Sequence, residues 1–266
     1  MSQASLSPIS LAFLKKTIEK TPGEGRCEQH NTVLNDVPYT YNGMTVNTYG
    51  PCPDCDAERK AAIEEQAKQE RMKQMKERFV RMGIPPRYTG NRLAQFRAPH
   101  KAQQDVLSVA KHFCSTDELD SLLLLGNVGT GKTLLGCAIL TECTHDADGL
   151  WASSGLYTTA SQLMRRIKMS WKKDATENEQ EVFAKLTKPY LLVIDEIGVQ
   201  FNSDTERCLL TEVINDRYNA RQRTMLISNL TLQEFTQVVG DRIVDRLKEN
   251  GKVLVFDWAS RRGKSA

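Results

Sequence analysis

The sequence SLLLLGNVGTGKT, residues 121–133, decides the fold. It begins with a short apolar run that is typical of a buried strand, and the residues after it are typical of a helix. Between them, Gly126, Gly131, Lys132 and Thr133 match the spacing G-x-x-x-x-G-K-[ST]. Glycines let the backbone turn tightly and approach a bound group, so that N–H groups converge at the start of the helix. The stretch therefore predicts a phosphate-binding loop.

The parts of this loop have expected roles in holding ATP with Mg²⁺. Lys132 would reach the β- and γ-phosphates, and the Thr133 hydroxyl would bind Mg²⁺. The predicted nucleotide contacts in the loop are Gly126, Asn127, Val128, Gly129, Thr130, Gly131, Lys132, Thr133 and Leu134. The alternative is a chance match in a glycine-containing turn, which the flanking strand and helix disfavour.

A second apolar run, YLLVIDEIG at 190–198, ends in acidic residues. Ligands of parallel α/β sheets bind at the carboxyl ends of the strands. Asp195 is therefore predicted beside Mg²⁺, and Glu196 is predicted to polarise the attacking water. An acidic helix cap after the strand is the alternative interpretation.

A third run, TMLISN at 224–229, passes from apolar residues to a polar end. The amide of Asn229 at that edge would orient the lytic water and sense the γ-phosphate. Alternatively, Asn229 starts a turn or caps the next helix.

Strands and helices alternate through the second half of the chain. Strands are predicted near 121–125, 154–158, 190–195, 223–228 and 252–256, and helices near 100–113, 132–143, 160–172, 204–219 and 232–248. Helix-length intervals between strands imply βαβ units and a mainly parallel sheet covered on both faces. The predicted fold class is α/β.

The composition is that of a soluble protein, with 266 residues, 40% hydrophobic, 26% charged and a net charge of +3. At this net charge, any nucleic-acid surface must be local. The N-terminus lacks a basic signal-peptide region, and no apolar run reaches the roughly 18 residues that a bilayer span needs. A cytoplasmic location is therefore expected.

Two short patterns near the N-terminus, CEQH and CPDC, predict a Zn²⁺ site, because each offers two soft ligands from one short turn. The predicted ligands are Cys27, His30, Cys52 and Cys55. Little apolar material surrounds them, so metal binding would supply the folding energy. A redox C-x-x-C with an incidental histidine is the alternative. The other four cysteines are expected to be small buried hydrophobes.

A run of helix formers at 56–82 contains no glycine or proline and stops at Gly83. It predicts one long, mostly solvated helix that joins two domains. The predicted domains are a zinc-binding module at 1–55, a charged linker helix at 56–84 and an ATPase domain at 85–266. A short helix is also expected over 11–20.

Two clusters of arginines lie near the C-terminus. GDRIVDRL places Arg242 and Arg246 on one helical face, and WASRR contains Arg261 and Arg262. An arginine from a neighbouring subunit can stabilise the charge that develops in phosphoryl transfer. On spacing alone, surface arginines paired with nearby aspartates are the favoured alternative.

Taken in order, GNVGTGKT, LLVIDEIGVQ, ISN, GDRIVDRL and FDWASRR resemble the AAA+ domain of DnaC-type replicative helicase loaders of bacteria and phages, a subset of P-loop NTPases. The resemblance covers about residues 80–266. It implies that Arg246 is an arginine finger acting in trans, that Arg262 contacts nucleotide and that Asn229 is a sensor. The N-terminal zinc pattern is similar to that of loaders from some phages and Gram-positive bacteria, and implies a helicase-docking module.

The resemblance also implies a DNA-contacting helical insertion between the second and third strands. Here the segment is RRIKMSWKK, 165–173, with Arg165, Arg166 and Lys168 ahead of its tryptophan. Cations that release phosphate counterions and an aromatic that stacks on a base suit single-stranded DNA. The predicted DNA contacts are Trp171, Lys172, Lys173 and Ser203. A solvated basic helix with its tryptophan in the core is the alternative.

The functional prediction is ATP-dependent loading of a hexameric DnaB-type replicative helicase onto single-stranded DNA during replication initiation, with self-association through AAA+ interfaces. Two alternatives remain open. One is an IstB-like ATP-dependent transposition helper acting on double-stranded DNA, and the other is a nucleotide-gated adaptor that needs no turnover.

Overall fold

The computed structural model describes residues 25–41, 44–144, 154–198 and 203–260. It divides into two compact units, residues 1–74 and 75–266, each of which is described by itself. The helix expected over 11–20, and Arg261 and Arg262, lie outside the described residues. Among the helices of the described part, none is long and apolar enough to cross a membrane.

The first unit contains a hairpin that the sequence did not predict. Strand β1 (Asp36–Tyr41) pairs antiparallel with β2 (Met44–Tyr49), with Asp36 opposite Tyr49. Among the residues of this unit whose burial the structure describes, only Cys52 is buried. These residues therefore supply almost no apolar core.

The long helix α1 (Pro53–Arg81) confirms the helix predicted over 56–82 and begins three residues earlier. It is exposed over most of its length, as its mixed charges predicted. Acidic residues lie in its first turn and basic residues in its last turn, which complements the helix dipole. The boundary between the two units falls within this helix, after Gln74. The division of the chain at residues 55 and 84 stays a prediction.

The second unit is built around a parallel sheet. In chain order its elements are α2 (Lys101–Ser115), β3 (Ser121–Gly126), α3 (Lys132–Cys143), β4 (Gly155–Thr159), α4 (Ala160–Ser170), α5 (Glu179–Thr187), β5 (Leu191–Ile197), α6 (Asp204–Asn219), β6 (Arg223–Ser228), α7 (Leu232–Val239), α8 (Asp241–Glu249) and β7 (Gly251–Phe256). The strand order is β4-β5-β6-β3-β7, and all pairs are parallel. The predicted α/β fold is confirmed, together with its five strands.

Helices cover both faces of this sheet. Successive strand residues point to opposite sides, so each strand contributes side chains to two hydrophobic cores. In β3, Leu122 and Leu124 belong to one hydrophobic core, and Leu123 and Leu125 belong to the other. Strands buried on both faces read as continuous apolar runs, which explains the run in β3. Because these strands are parallel, the carboxyl ends of β3, β5 and β6 lie at one edge of the sheet.

Several helix predictions need correction. The helix predicted over 232–248 is two helices, because Gly240 has φ 90° and breaks the helical path. Helix α4 ends at Ser170, two residues earlier than predicted. Helix α5 was missed, although Asn178 and Glu181 form a capping box at its start. Cys208 is exposed on α6, so its prediction as a buried hydrophobe is wrong.

Candidate functional site

The phosphate loop joins β3 to α3 through glycines with left-handed backbone angles. Gly126 has φ 121° and Gly131 has φ 103° at the N-cap of α3. A side chain at Gly126 would place its Cβ 2.4 Å from the Phe256 carbonyl oxygen, so only glycine fits there. Lys132 Nζ donates to the carbonyl oxygens of Gly126 and Asn127, each at 2.6 Å. The ammonium group therefore lies inside the loop.

Two further hydrogen bonds stabilise the conformation of the loop. Thr130 is buried, and its hydroxyl donates to the Asn127 carbonyl oxygen at 2.8 Å. The indole N–H of Trp258 donates to the Thr130 carbonyl oxygen at 3.0 Å. These contacts give Asn127 and Thr130 a role in loop geometry, and their nucleotide contacts stay a prediction.

The predicted acids at the end of β5 lie beside the loop. Asp195 is only 3% exposed, and its Oδ2 accepts a hydrogen bond from the Thr133 hydroxyl at 2.7 Å. Its Oδ1 accepts from the backbone N–H of Glu196 at 2.7 Å. A hydroxyl and a carboxylate oxygen so close together suit a hard cation such as Mg²⁺.

Glu196 is exposed because β5 contains a bulge at this point. Ile194 pairs with Leu226 and Ile197 with Ser228, so two residues of β5 oppose one residue of β6. Glu196 has φ 59°, an unusual angle for a residue with a side chain. Strained angles of this kind cluster at functional sites. The bulge leaves the carboxylate accessible while Asp195 stays buried.

These residues line one cavity of about 610 Å³. Its lining comprises Arg87, Tyr88, Val128, Gly129, Gly131, Lys132, Thr133, Leu134, Asp195, Glu196 and Asn229. The cavity therefore unites the loop, both predicted acids and the predicted sensor Asn229.

Three residues near this cavity received no role in the sequence analysis. Arg87 and Tyr88 follow the end of α1 and line the cavity. Tyr157 on β4 is buried, and its hydroxyl donates to Asp195 Oδ2 at 2.8 Å. Burial is the main cause that raises the pKa of Tyr157, and the nearby Asp195 charge raises it further. In the sequence, Arg87 and Tyr88 end the segment GIPPRY, and Tyr157 is an aromatic residue in the middle of a predicted strand. These were the features that could have drawn attention to the three residues.

Arg246, predicted as a finger acting in trans, is not among the residues lining this cavity. Its guanidinium contacts the Asn215 side-chain oxygen and lies 5.1 Å from the centre of the Tyr218 ring. Arg242 is exposed on the same helix. Arg246 is therefore held by α6, and its role in a neighbouring site stays a prediction.

The four predicted zinc ligands converge within the first unit. The ligand atoms of Cys27, His30, Cys52 and Cys55 all lie within 4.8 Å of one another. The Sγ atoms of Cys27 and Cys55 are 3.5 Å apart, and His30 Nδ1 is 3.4 Å from Cys55 Sγ. Zn–S bonds of about 2.3 Å and Zn–N bonds of about 2.0 Å imply ligand separations of about 3.5–3.8 Å. The four side chains therefore fit Zn²⁺.

A carboxylate on α1 orients the histidine. His30 Nε2 lies 2.8 Å from Glu58 Oε1, and Gln29 Nε2 donates to Glu58 Oε2 at 2.9 Å. Glu58 is the main cause that raises the pKa of His30 to about 9. The backbone at His30 is the main cause that lowers the pKa of Cys27 to about 6, which favours the thiolate. Glu58 was missed because it lies outside both short patterns.

The predicted DNA segment lies on the surface. Trp171 follows α4, is 49% exposed, and donates from its ring N–H to Glu179 at 2.8 Å. The alternative with this ring in the core is wrong. Lys172 and Lys173 are exposed beside it, as is Arg165 on α4.

Other basic residues of the segment are already paired. Arg166 donates twice to Glu177, at 2.9 and 2.8 Å, and this pairing is the main cause that lowers the pKa of Glu177 to about 2. Lys168 donates to Glu206 at 2.6 Å. Ser203 caps α6 by accepting from the backbone N–H of Glu206. The DNA contacts of Trp171, Lys172, Lys173 and Ser203 stay predictions.

Four features define a P-loop nucleotide-binding protein of the AAA+ class. They are the strand order, the phosphate loop after β3, the acids at the end of β5 and the amide after β6. The chain belongs to the family of IstB-like ATP binding proteins, whose family model matches residues 58–265.

Several curated relatives bear the name Replicative helicase loader DnaC, among them proteins of two genera. The chain is 30% identical over 211 residues to that of Escherichia coli strain K12, covering 77% of this chain and 82% of the relative. It is 29% identical over 185 residues to that of Buchnera aphidicola subsp. Schizaphis graminum, covering 68% and 73%. The similarity to DnaC-type proteins that the motifs predicted is confirmed.

Solved structures of low sequence identity share the fold. The crystal structure of the DnaC helicase loader matches with a TM-score of 0.56 and 23% identity, covering 65% of this chain and all of that chain. The crystal structure of DnaI matches with a TM-score of 0.55 and 20% identity, covering 67% and 94%. Both matches support the AAA+ architecture.

Proposed function

We propose that this protein is an ATP-driven loader of a hexameric DnaB-type replicative helicase onto single-stranded DNA. The observation that carries the proposal is the convergence of Lys132, Thr133, Asp195, Glu196 and Asn229 on one cavity. This convergence occurs in a chain whose relatives bear the name replicative helicase loader. We expect the protein to act in the cytoplasm during replication initiation.

The residues of the cavity have different roles in ATP binding and hydrolysis. The loop N–H groups and Lys132 hold the phosphates, and Thr133 with Asp195 holds Mg²⁺. When bound, Mg²⁺ supplies positive charge that offsets the charge developing on the phosphate oxygens. Glu196 polarises the attacking water, and Asn229 orients it. Arg87 and Tyr88 line the same cavity and are proposed as further contacts to the nucleotide.

Arg246 completes the site of a neighbouring subunit. It does not line the cavity of its own chain, and Asn215 with Tyr218 fixes its direction. A trans arginine links hydrolysis to self-association, because each site needs its neighbour. Arg262 is proposed as a further nucleotide contact.

The first unit serves as a Zn²⁺-dependent docking module for the helicase. Its four converging ligands fit the metal, and only one side chain is buried among those whose burial the structure describes, so the metal supplies folding energy. Trp171, Lys172 and Lys173 contact single-stranded DNA, because an exposed aromatic beside exposed cations can stack on a base and neutralise phosphates.

A loading assay tests this proposal. With the cognate hexameric helicase, forked DNA and ATP, the protein is expected to stimulate unwinding, and Lys132→Ala is expected to lose at least about tenfold of that stimulation because charge at the phosphates is removed. Lys111→Ala, on the exposed face of α2, is the matched control. Absence of stimulation by the wild type, or equal stimulation by Lys132→Ala, would contradict the proposal.

A transposition helper is the second candidate, because the matching family model carries the IstB-like description. The relatives named DnaC favour the loader. Affinities measured with ATP separate the two candidates. A loader is expected to prefer single-stranded DNA, whereas a transposition helper is expected to prefer double-stranded DNA.

A further inference from the structure

Three donors converge on the buried carboxylate of Asp195. Its Oδ2 accepts from Thr133 at 2.7 Å and from Tyr157 at 2.8 Å, and its Oδ1 accepts from the backbone N–H of Glu196 at 2.7 Å. A buried carboxylate is costly unless such donors compensate it. The three donors therefore also fix the direction of the carboxylate.

We infer that the Tyr157 hydroxyl is a positioning group that keeps the Asp195 carboxylate directed at the Mg²⁺ position during nucleotide binding. This inference rests on the proposed ATPase function. Thr133 binds the metal through an oxygen lone pair in that function, which leaves its O–H free to donate to Asp195 Oδ2. Tyr157 is the second side-chain donor to this oxygen, and it lies outside the phosphate loop.

The surroundings of Tyr157 suit a fixed donor. It lies on β4, where it is paired with Val193 of β5 on one side. On the other side its backbone N–H donates to the Met82 carbonyl oxygen at 2.7 Å. Gly83 has φ 71°, and a Cβ there would lie 2.4 Å from the Tyr157 carbonyl oxygen. The backbone of Tyr157 is therefore held from both edges of the strand.

Tyr157 acts through Asp195 and not on the nucleotide itself. It is 5% exposed and is not among the residues lining the nucleotide cavity. Partners that orient metal-binding side chains typically contribute about 10–100-fold to metal affinity. Loss of the hydroxyl should therefore change the dependence on Mg²⁺ more than the affinity for the nucleotide alone.

Calorimetric titration of ATP at several Mg²⁺ concentrations tests the inference. Tyr157→Phe keeps the ring in its place and removes only the donor. We expect this variant to need about tenfold more Mg²⁺ for half-maximal ATP binding, with binding restored at high Mg²⁺. Affinity for ATP without Mg²⁺ is expected to match the wild type. Restoration by Mg²⁺ distinguishes a positioning role from a general loss of structure.

Tyr190→Phe is the matched control. The Tyr190 hydroxyl also donates to an aspartate, Asp117, at 2.8 Å, and this pair does not line the nucleotide cavity. Its Mg²⁺ dependence should equal that of the wild type. Equal Mg²⁺ dependence of Tyr157→Phe and the wild type would overturn this inference and leave the ATPase proposal standing. Absence of ATP binding by the wild type would overturn both.

Discussion

Replacing Glu196 with glutamine is expected to lower the rate of ATP hydrolysis by about 10²–10⁴-fold and to leave ATP binding in place. The β5 bulge exposes the Glu196 carboxylate at the cavity, while Asp195 beside it is buried and satisfied by donors. Glutamine has nearly the same shape, and its amide cannot accept the proton of the attacking water. Release of phosphate in a single turnover measures the effect.

Glu212→Gln is the control for this change, since Glu212 is exposed on α6 and does not line the cavity. It should hydrolyse ATP at the wild-type rate. Unchanged hydrolysis by Glu196→Gln would remove Glu196 from the chemistry. If Glu196→Gln lost hydrolysis and still loaded helicase normally, the nucleotide-gated adaptor would be favoured over the motor.

Removal of the metal is expected to unfold the first unit and to leave the second unit folded. Structural Zn²⁺ sites contribute roughly 10–16 kcal/mol of apparent binding free energy, which is also folding free energy. Among the residues of that unit whose burial is described, only Cys52 is buried, so their packing supplies little of this contribution. Hydrogen exchange before and after chelation is the measurement. Backbone amides of the hairpin (Asp36–Tyr49) should lose protection, and those of β3 should keep it.

A substitution at Glu58 tests the same metal requirement with a smaller expected effect. The Glu58 carboxylate lies 2.8 Å from His30 Nε2. Glu58→Gln is expected to weaken Zn²⁺ binding by about 10–100-fold, because the histidine loses its charged partner. Glu64→Gln, at an exposed position on the same helix, should bind Zn²⁺ like the wild type. Protein purified without Zn²⁺ whose hairpin amides were fully protected would contradict the metal requirement.

The phosphate loop and the sheet could be predicted because their signals are local. An apolar run buried on both faces, a glycine-rich turn and a helix follow one another in β3 and α3, and acids directly follow the run in β5. The zinc ligands were equally readable, since C-x-x-H and C-x-x-C each fix the spacing of two ligands. In these cases the chemistry lies in short segments.

Contacts between segments distant in the chain could not be read in the same way. Arg217 received no role from the sequence, yet it is fully buried and donates to the carbonyl oxygens of Leu186, Thr187 and Pro189. Desolvation lowers its pKa to about 9. The Tyr157 hydrogen bond and the Glu58 partner of His30 belong to the same class. Each depends on how strands and helices pack, which no local pattern contains.

The β5 bulge illustrates a further limit. The apolar run predicted a strand, and the paired acids predicted a site, but alternation alone would send Asp195 and Glu196 to opposite faces of the sheet. The extra residue and the φ of 59° at Glu196 instead leave its carboxylate on the cavity wall with Asp195. Such a backbone angle depends on tertiary packing, so no local sequence pattern predicts it.

Calorimetric titration of ATP with Mg²⁺ into Zn²⁺-replete protein is the most direct measurement of the central claim, that the loop around Lys132 holds a nucleoside triphosphate. We predict saturable binding of ATP by the wild type and loss of that binding in Lys132→Ala, because the Lys132 ammonium lies inside the loop beside the carbonyl oxygens of Gly126 and Asn127. A folded wild-type protein that binds no ATP would contradict the claim.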